Sequence, residues 1–220
     1  MPRRKHHAFL ALTALSALCM SCANSTSNSY DAQPITQKQR WYWLGSTSYA
    51  HHIRTNPPSS YWLEVDGERA VIQADCNKVQ AKSMTTHEGR LWLSNLTATK
   101  ASCSAGSLGT TFTRLLSQTQ ITEQRGQVLR VSLSQYGDAM FFGLDPTAHF
   151  SSYRCEGGES MAVISQAQHT HLWLGDQYSH IAREDPSAQQ KPESDGPKLD
   201  SDDIAAAATA ACRKHTGPGG

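Results

Sequence analysis

Residues 61–74, YWLEVDGERAVIQA, alternate apolar and polar positions on either side of Asp66-Gly67. A period of two predicts a pair of half-buried strands, and Asp-Gly suits a tight turn because both residues tolerate positive φ. RLWLSNL at 90–96 repeats the pattern, with Leu91 and Leu93 inward and Leu96 as a third. The period then changes. In GSLGTTFTRLLSQT, residues 106–119, Leu108, Phe112, Leu115 and Leu116 fall at i, i+4, i+7 and i+8, one face of a helix. Ser104 or Ser107 stands where a cap is needed. VLRVSL and AMFFGL follow as strands around the turn signal SQYGD. This half predicts a small antiparallel sheet or barrel carrying one helix.

After Pro146 the pattern restarts. HFSSYRCEGG, ESMAVIS, HTHLWLG and QYSHIAR read as short strands, with Gly157-Gly158 and Gly175-Asp176 as hairpin turns. The expected fold is therefore mainly β, with some α: two small antiparallel domains at 40–144 and 150–212. The first has one helix packed on its sheet, and the second is β-barrel-like. Residues 187–196, SAQQKPESDG, hold no large aliphatic or aromatic side chain and read as a polar loop. Residues 200–211 suit a short Ala-rich helix begun at Asp202, or disorder. Residues 213–220 read as a disordered tail.

The first residues predict the compartment. A basic MPRRKHH precedes the apolar AFLALTALSAL, which is too short to span a bilayer comfortably. Residues 1–21 read as an export signal. The small Ser21 before Cys22 resembles the cleavage site of bacterial lipoproteins, although Cys19 stands where leucine is usual. The expectation is a lipid anchor on Cys22 in the outer membrane, facing the periplasm, with 22–39 as a flexible tether. Cleavage of an ordinary secretory signal nearby is the other reading. A net charge of +1 argues against nucleic-acid binding, which needs a basic face.

Six cysteines are present, and four remain beyond the signal and Cys22: Cys76, Cys103, Cys155 and Cys212. An even number in an exported chain predicts disulfides, with three possible pairings. Pairing by proximity in sequence joins Cys76 to Cys103 and Cys155 to Cys212. No metal motif accompanies them. His169 and His171 share a strand face, and His51-His52 are adjacent, but the expected reading of these pairs is a solvated surface, with no metal and no cofactor. Asp75, Asn77 and Thr99 suggest a polar site, yet no base or nucleophile joins them, so turn hydrogen bonds are expected instead. No G-x-S-x-G, metal or phosphate-loop motif is present, and no enzyme is expected.

Two stretches resemble known families. ADCNK at 74–78, followed by GRLWLSNLTATKASC at 89–103, is similar to the META-domain (HslJ-like) proteins of bacterial envelopes. The matching positions are Cys76, Asn77, Gly89, Leu91, Thr99 and Cys103, and the helix FTRLL and the strand AMFFG fit as well. That resemblance implies a role in the envelope without a catalytic residue. The second half resembles the MliC-like inhibitors of C-type lysozyme. Tyr153-Arg154-Cys155 matches their opening, Leu172-Trp173-Leu174-Gly175 their middle strand, and Ser187-Ala188 the start of their inhibitory loop. Cys212 falls where the bridge partner is expected.

The second resemblance implies C-type lysozyme as partner, with Ser187 and Lys191 as loop candidates for its two-carboxylate cleft. The loop's own serine position holds Gln189, and the family's later lysine has no counterpart. From Glu184 to Asp203, seven acids stand against two lysines, a net −5 that would steer a basic partner. The alternative is a non-catalytic structural or stress-related envelope lipoprotein that acts through its first domain.

Overall fold

The computed structural model describes residues 35, 38–48, 52–86, 90–133, 137–167, 169–182 and 212–214. The 1–21 signal, Cys22, most of the tether, Ser187, Lys191, the 200–211 stretch and residues 215–220 lie outside them.

Nine of the described strands make one antiparallel sheet. They are β1 (Arg40–Thr47), β2 (Ile53–Arg54), β3 (Tyr61–Asp66), β4 (Arg69–Ala74), β5 (Asn77–Thr85), β6 (Leu91–Ala98), β7 (Thr119–Arg125), β8 (Val128–Leu133) and β9 (Ala139–Gly143). The order is β6-β5-β4-β3-β1-β9-β8-β7, with β2 paired to β1. A bridge from Arg90 to Ile121 brings the two ends of this order together, so the sheet curls into a half-barrel. Helix α1 (Gly109–Leu116) fills it. Its Phe112 stacks on Trp43 at 4.9 Å and meets the edge of Tyr61 at 5.9 Å. Leu115 and Leu116 join Trp41, Leu63, Ile72, Val79, Leu91 and Phe142 in the same core.

The mainly β architecture agrees with the alternation in sequence, with small shifts at the element ends. The first hairpin turns on Gly67-Glu68, and Asp66 still pairs with Arg69. Gly67 has φ +59, which a glycine takes without strain. Leu108 occupies the cap position of α1, and Ser107, one place earlier, accepts a hydrogen bond from the Gly109 amide at 3.2 Å.

The second sheet contains β10 (His149–Cys155), β11 (Ser160–Ser165), β12 (His169–Leu174), β13 (Gln177–Ala182) and β14 (Cys212–Lys214), in the order β13-β12-β11-β10-β14. It packs on the outside of the half-barrel. Leu44, Val128, Ala139 and Phe141 from the first sheet share a second core with Ala148, Phe150, Ala162, Ile164 and Trp173. This contact explains Gly45. A Cβ there would lie 2.3 Å from the Phe150 ring and 2.5 Å from the Ile53 carbonyl oxygen. Buried Arg130 crosses the same junction to Asp176 and is also paired with Glu123, so its charge is not left alone.

Both cysteine pairs are bonded, Cys76 to Cys103 and Cys155 to Cys212. Among the described residues, no helix is long and apolar enough to cross a membrane.

Candidate functional site

Strands β12 and β13 pair His171 with His180 and Trp173 with Tyr178. Positions two apart on a strand share a face, so His169, His171 and Trp173 line up beside Tyr178 and His180. Burial changes along this row. Trp173 lies in the second core, His171 is 3% exposed, and His169 and His180 reach solvent. The row opens into a cleft of about 600 Å³ whose other wall is the β7–β8 turn at Arg125, Gly126 and Gln127. Gly126 comes so close that a Cβ would lie 3.8 Å from the His171 ring.

The rings are held by specific contacts. His171 stacks on Trp173 at 6.1 Å, and its Nδ1 shares a hydrogen bond with the Tyr178 hydroxyl at 3.0 Å. The Arg125 guanidinium sits 5.1 Å from the centre of the Tyr178 ring, and its Nε donates to Glu123 at 2.8 Å. Outside this pair, His180 Nε2 lies 3.2 Å from His169 Nδ1. Burial, then the charges of His180 and His169, lower the His171 imidazole to about 4, so it is neutral at physiological pH. Burial also raises the Tyr178 hydroxyl above its ordinary value, against the pull of Arg125. The cleft therefore offers the neutral imidazole of His171, the protonated phenol of Tyr178, the Arg125 guanidinium and the Asp145 carboxylate, with His169 and His180 at its rim. No serine or cysteine is among the described residues that line it.

The sequence places His169 and His171 on one face, and the structure agrees. The expected solvated surface fits only His169, because His171 is covered by Gly126 and Trp173. His180 and Tyr178 were not anticipated as partners. The Gly175-Asp176 turn held that information: a two-residue hairpin loop sets Leu174 opposite Gln177 and so His171 opposite His180. The other histidine pair dissolves. His51 is outside the described residues, and buried His52 faces Arg154, Nε2 to Nη2 at 3.3 Å.

The Asn77 cluster is different in kind. Asn77 Oδ1 accepts from the Ala101 amide at 2.8 Å and from the Thr99 hydroxyl at 2.9 Å, while its Nδ2 donates to the Ala101 carbonyl at 3.1 Å. Thr99 Oγ1 in turn accepts from the Lys78 amide at 3.0 Å. Beside the Cys76–Cys103 bridge, these bonds lock the 99–103 segment onto the start of β5. Their work is structural, as expected from turn-forming residues.

Two solved structures are similar in part. A DUF4847 family protein from Bacteroides vulgatus is 8% identical and covers 51% of this chain and 96% of its own, with a TM-score of 0.40. A protein from Burkholderia xenovorans solved by NMR is 13% identical and covers 65% of this chain and 97% of its own, with a TM-score of 0.41. No curated protein matches the chain. The META domain model matches residues 35–145, which include the half-barrel, its helix and the Asn77 bracket. That match spans half of the sequence, and the chain belongs to the META domain family.

Proposed function

We propose that the protein is a non-catalytic envelope lipoprotein, anchored through Cys22, whose second sheet inhibits C-type lysozyme. One observation carries this reading. Strands β13 and β14 lie at opposite edges of the second sheet, and Cys212 in β14 is bonded to Cys155 in β10. The segment between them, which contains Ser187 and Lys191, is thus fixed at both ends. Tethering of this sort lowers the ordering cost of a loop that must enter an enzyme cleft.

A turbidity assay tests the proposal, with the full-length chain in micromolar excess over a C-type lysozyme. Protection of the cell walls is expected, reduced by the double variant Ser187→Ala/Lys191→Ala. Lysis at the uninhibited rate overturns the proposal and leaves a non-catalytic role through the META domain. Deleting 145–220 is a poor substitute, because it would strip the cover from Leu44, Val128 and Phe141 and unsettle the first sheet.

A further inference from the structure

We propose that His169 and His180 form a two-histidine site for a divalent transition-metal ion of zinc type on the open rim of the second sheet. The inference is independent of lysozyme inhibition.

The geometry carries it. His169 Nδ1 and His180 Nε2 stand 3.2 Å apart. A tetrahedral ion held by two imidazoles at ~2.05 Å separates their nitrogens by about 3.3 Å. The pair already has that bite. In the absence of metal one ring donates its N–H to the other. When a metal binds, the donor ring shifts that proton to its other ring nitrogen, so both rings ligate as neutral imidazoles through His169 Nδ1 and His180 Nε2.

The backbone fixes the two residues. β12 and β13 are paired over six positions, from His169 opposite Ala182 to Leu174 opposite Gln177. The ring centroids of His169 and His180 are 5.0 Å apart, and His171 lies 5.2 Å from His180. His171 is tied to Tyr178 through Nδ1 and backs the pair from the buried side. Among the described residues, no three His, Cys, Asp or Glu side chains converge as ligands. The site is therefore a pair, and water or a donor from a bound molecule completes the coordination. Imidazole ligands favour zinc, copper(II) and nickel(II) over magnesium or calcium. Both histidines line the cleft, which has room for a further ligand.

This pairing was hidden because His169 and His171 are neighbours in sequence, whereas His169 and His180 meet only across the hairpin. The His169 and His171 ring centroids are 6.5 Å apart, against 5.0 Å for His169 and His180.

The test is a zinc titration by calorimetry on the full-length, chelator-stripped protein near neutral pH. Four proteins are compared: the native chain, His169→Gln, His180→Gln and His149→Gln. The last is a control, because His149 is exposed on β10 and outside the cleft. Zinc is expected to saturate one site in the native chain and in the control. Each of His169→Gln and His180→Gln should weaken it by roughly tenfold or more. Both residues are exposed, so near-ultraviolet circular dichroism should show all four proteins folded. In histidine-ring NMR, zinc should move the nitrogen signals of His169 and His180. Equal affinity in all four proteins, or no saturable binding up to about 100 μM zinc, overturns the proposal.

Discussion

The two halves of the first sheet differ in how many faces they bury. β3, β4 and β5 alternate buried with exposed positions, so one face meets the helix core and the other meets water. In β9 every residue is buried, and β1 and β8 come close to that. The difference comes from the second sheet, which shares a core with Leu44 of β1, Val128 of β8 and Ala139 and Phe141 of β9. A half-barrel with one wet side and one covered side concentrates its sensitivity to mutation on the covered side.

The strongest test of that contrast is Gly45→Ala. The new methyl would overlap the Phe150 ring and the Ile53 carbonyl, and the latter is backbone that cannot rotate away. We expect a loss of about 3 kcal/mol or more, read as a fall in the urea midpoint. Gly67→Ala on the wet side meets nothing within 4 Å and carries only the strain of φ +59, about 1 kcal/mol. Phe150→Ala should cost about 3 to 5 kcal/mol alone. Combined with Gly45→Ala, it should cost less than the sum, because the ring is part of the clash. Strict additivity would mean that the two sheets do not press on each other at Gly45.

Next in size is Asn77→Ala at the turn between β4 and β5. It removes the three bonds that hold the Thr99–Ala101 backbone and hydroxyl, for an expected loss of about 1 to 2 kcal/mol. The bracket is structural, so the zinc titration should not change. A change in zinc binding without a change in stability would move Asn77 out of the structural class.

The rim of the covered half adds a dependence on pH. His171 has a folded value of about 4 against an ordinary 6.5 in the unfolded chain. Between those values the unfolded state binds a proton that the folded state does not take up. Stability is therefore full above about pH 6.5 and falls as pH drops toward 4. The whole shift corresponds to about 3 kcal/mol. The cleft is open, and screening by solvent reduces the expected loss to about 1 to 2 kcal/mol. Urea melts of chelator-treated protein at stepped pH would show it. The dependence should shrink in His171→Gln, and an unchanged slope there would assign it to other groups.

The wet half was the legible half. Leu63 and Val65, then Ala70 and Ile72, announce their faces because polar residues stand between them. AMFFG also read as a strand, but an unbroken apolar run does not say what covers each face, so Phe141 and Phe142 looked alike. They belong to different cores. β1 and β5 were harder still: RWYWLGST lacks alternation, and NKVQAKSMT buries small Ala81 and Ser83, which carry little hydrophobic signal. The site was half legible. The shared face of His169 and His171 follows from parity, whereas His180 required the register of a hairpin to be carried four residues past its turn.

The smallest expected effect closes the contrast. Val71 and Met84 are 40% and 59% exposed on the outer face of β4 and β5, and Met84 pairs across strands with Trp92. If that face meets only water, Val71→Thr and Met84→Thr should each move stability by less than about 0.5 kcal/mol. Met84 has slightly more to lose because of its contact with an aromatic neighbour. The comparison is made by urea titration at two protein concentrations. A loss above about 1 kcal/mol at either site, growing with concentration, would mean that the outer face is covered by a second copy of the chain. The asymmetry between the halves would then belong to the monomer alone.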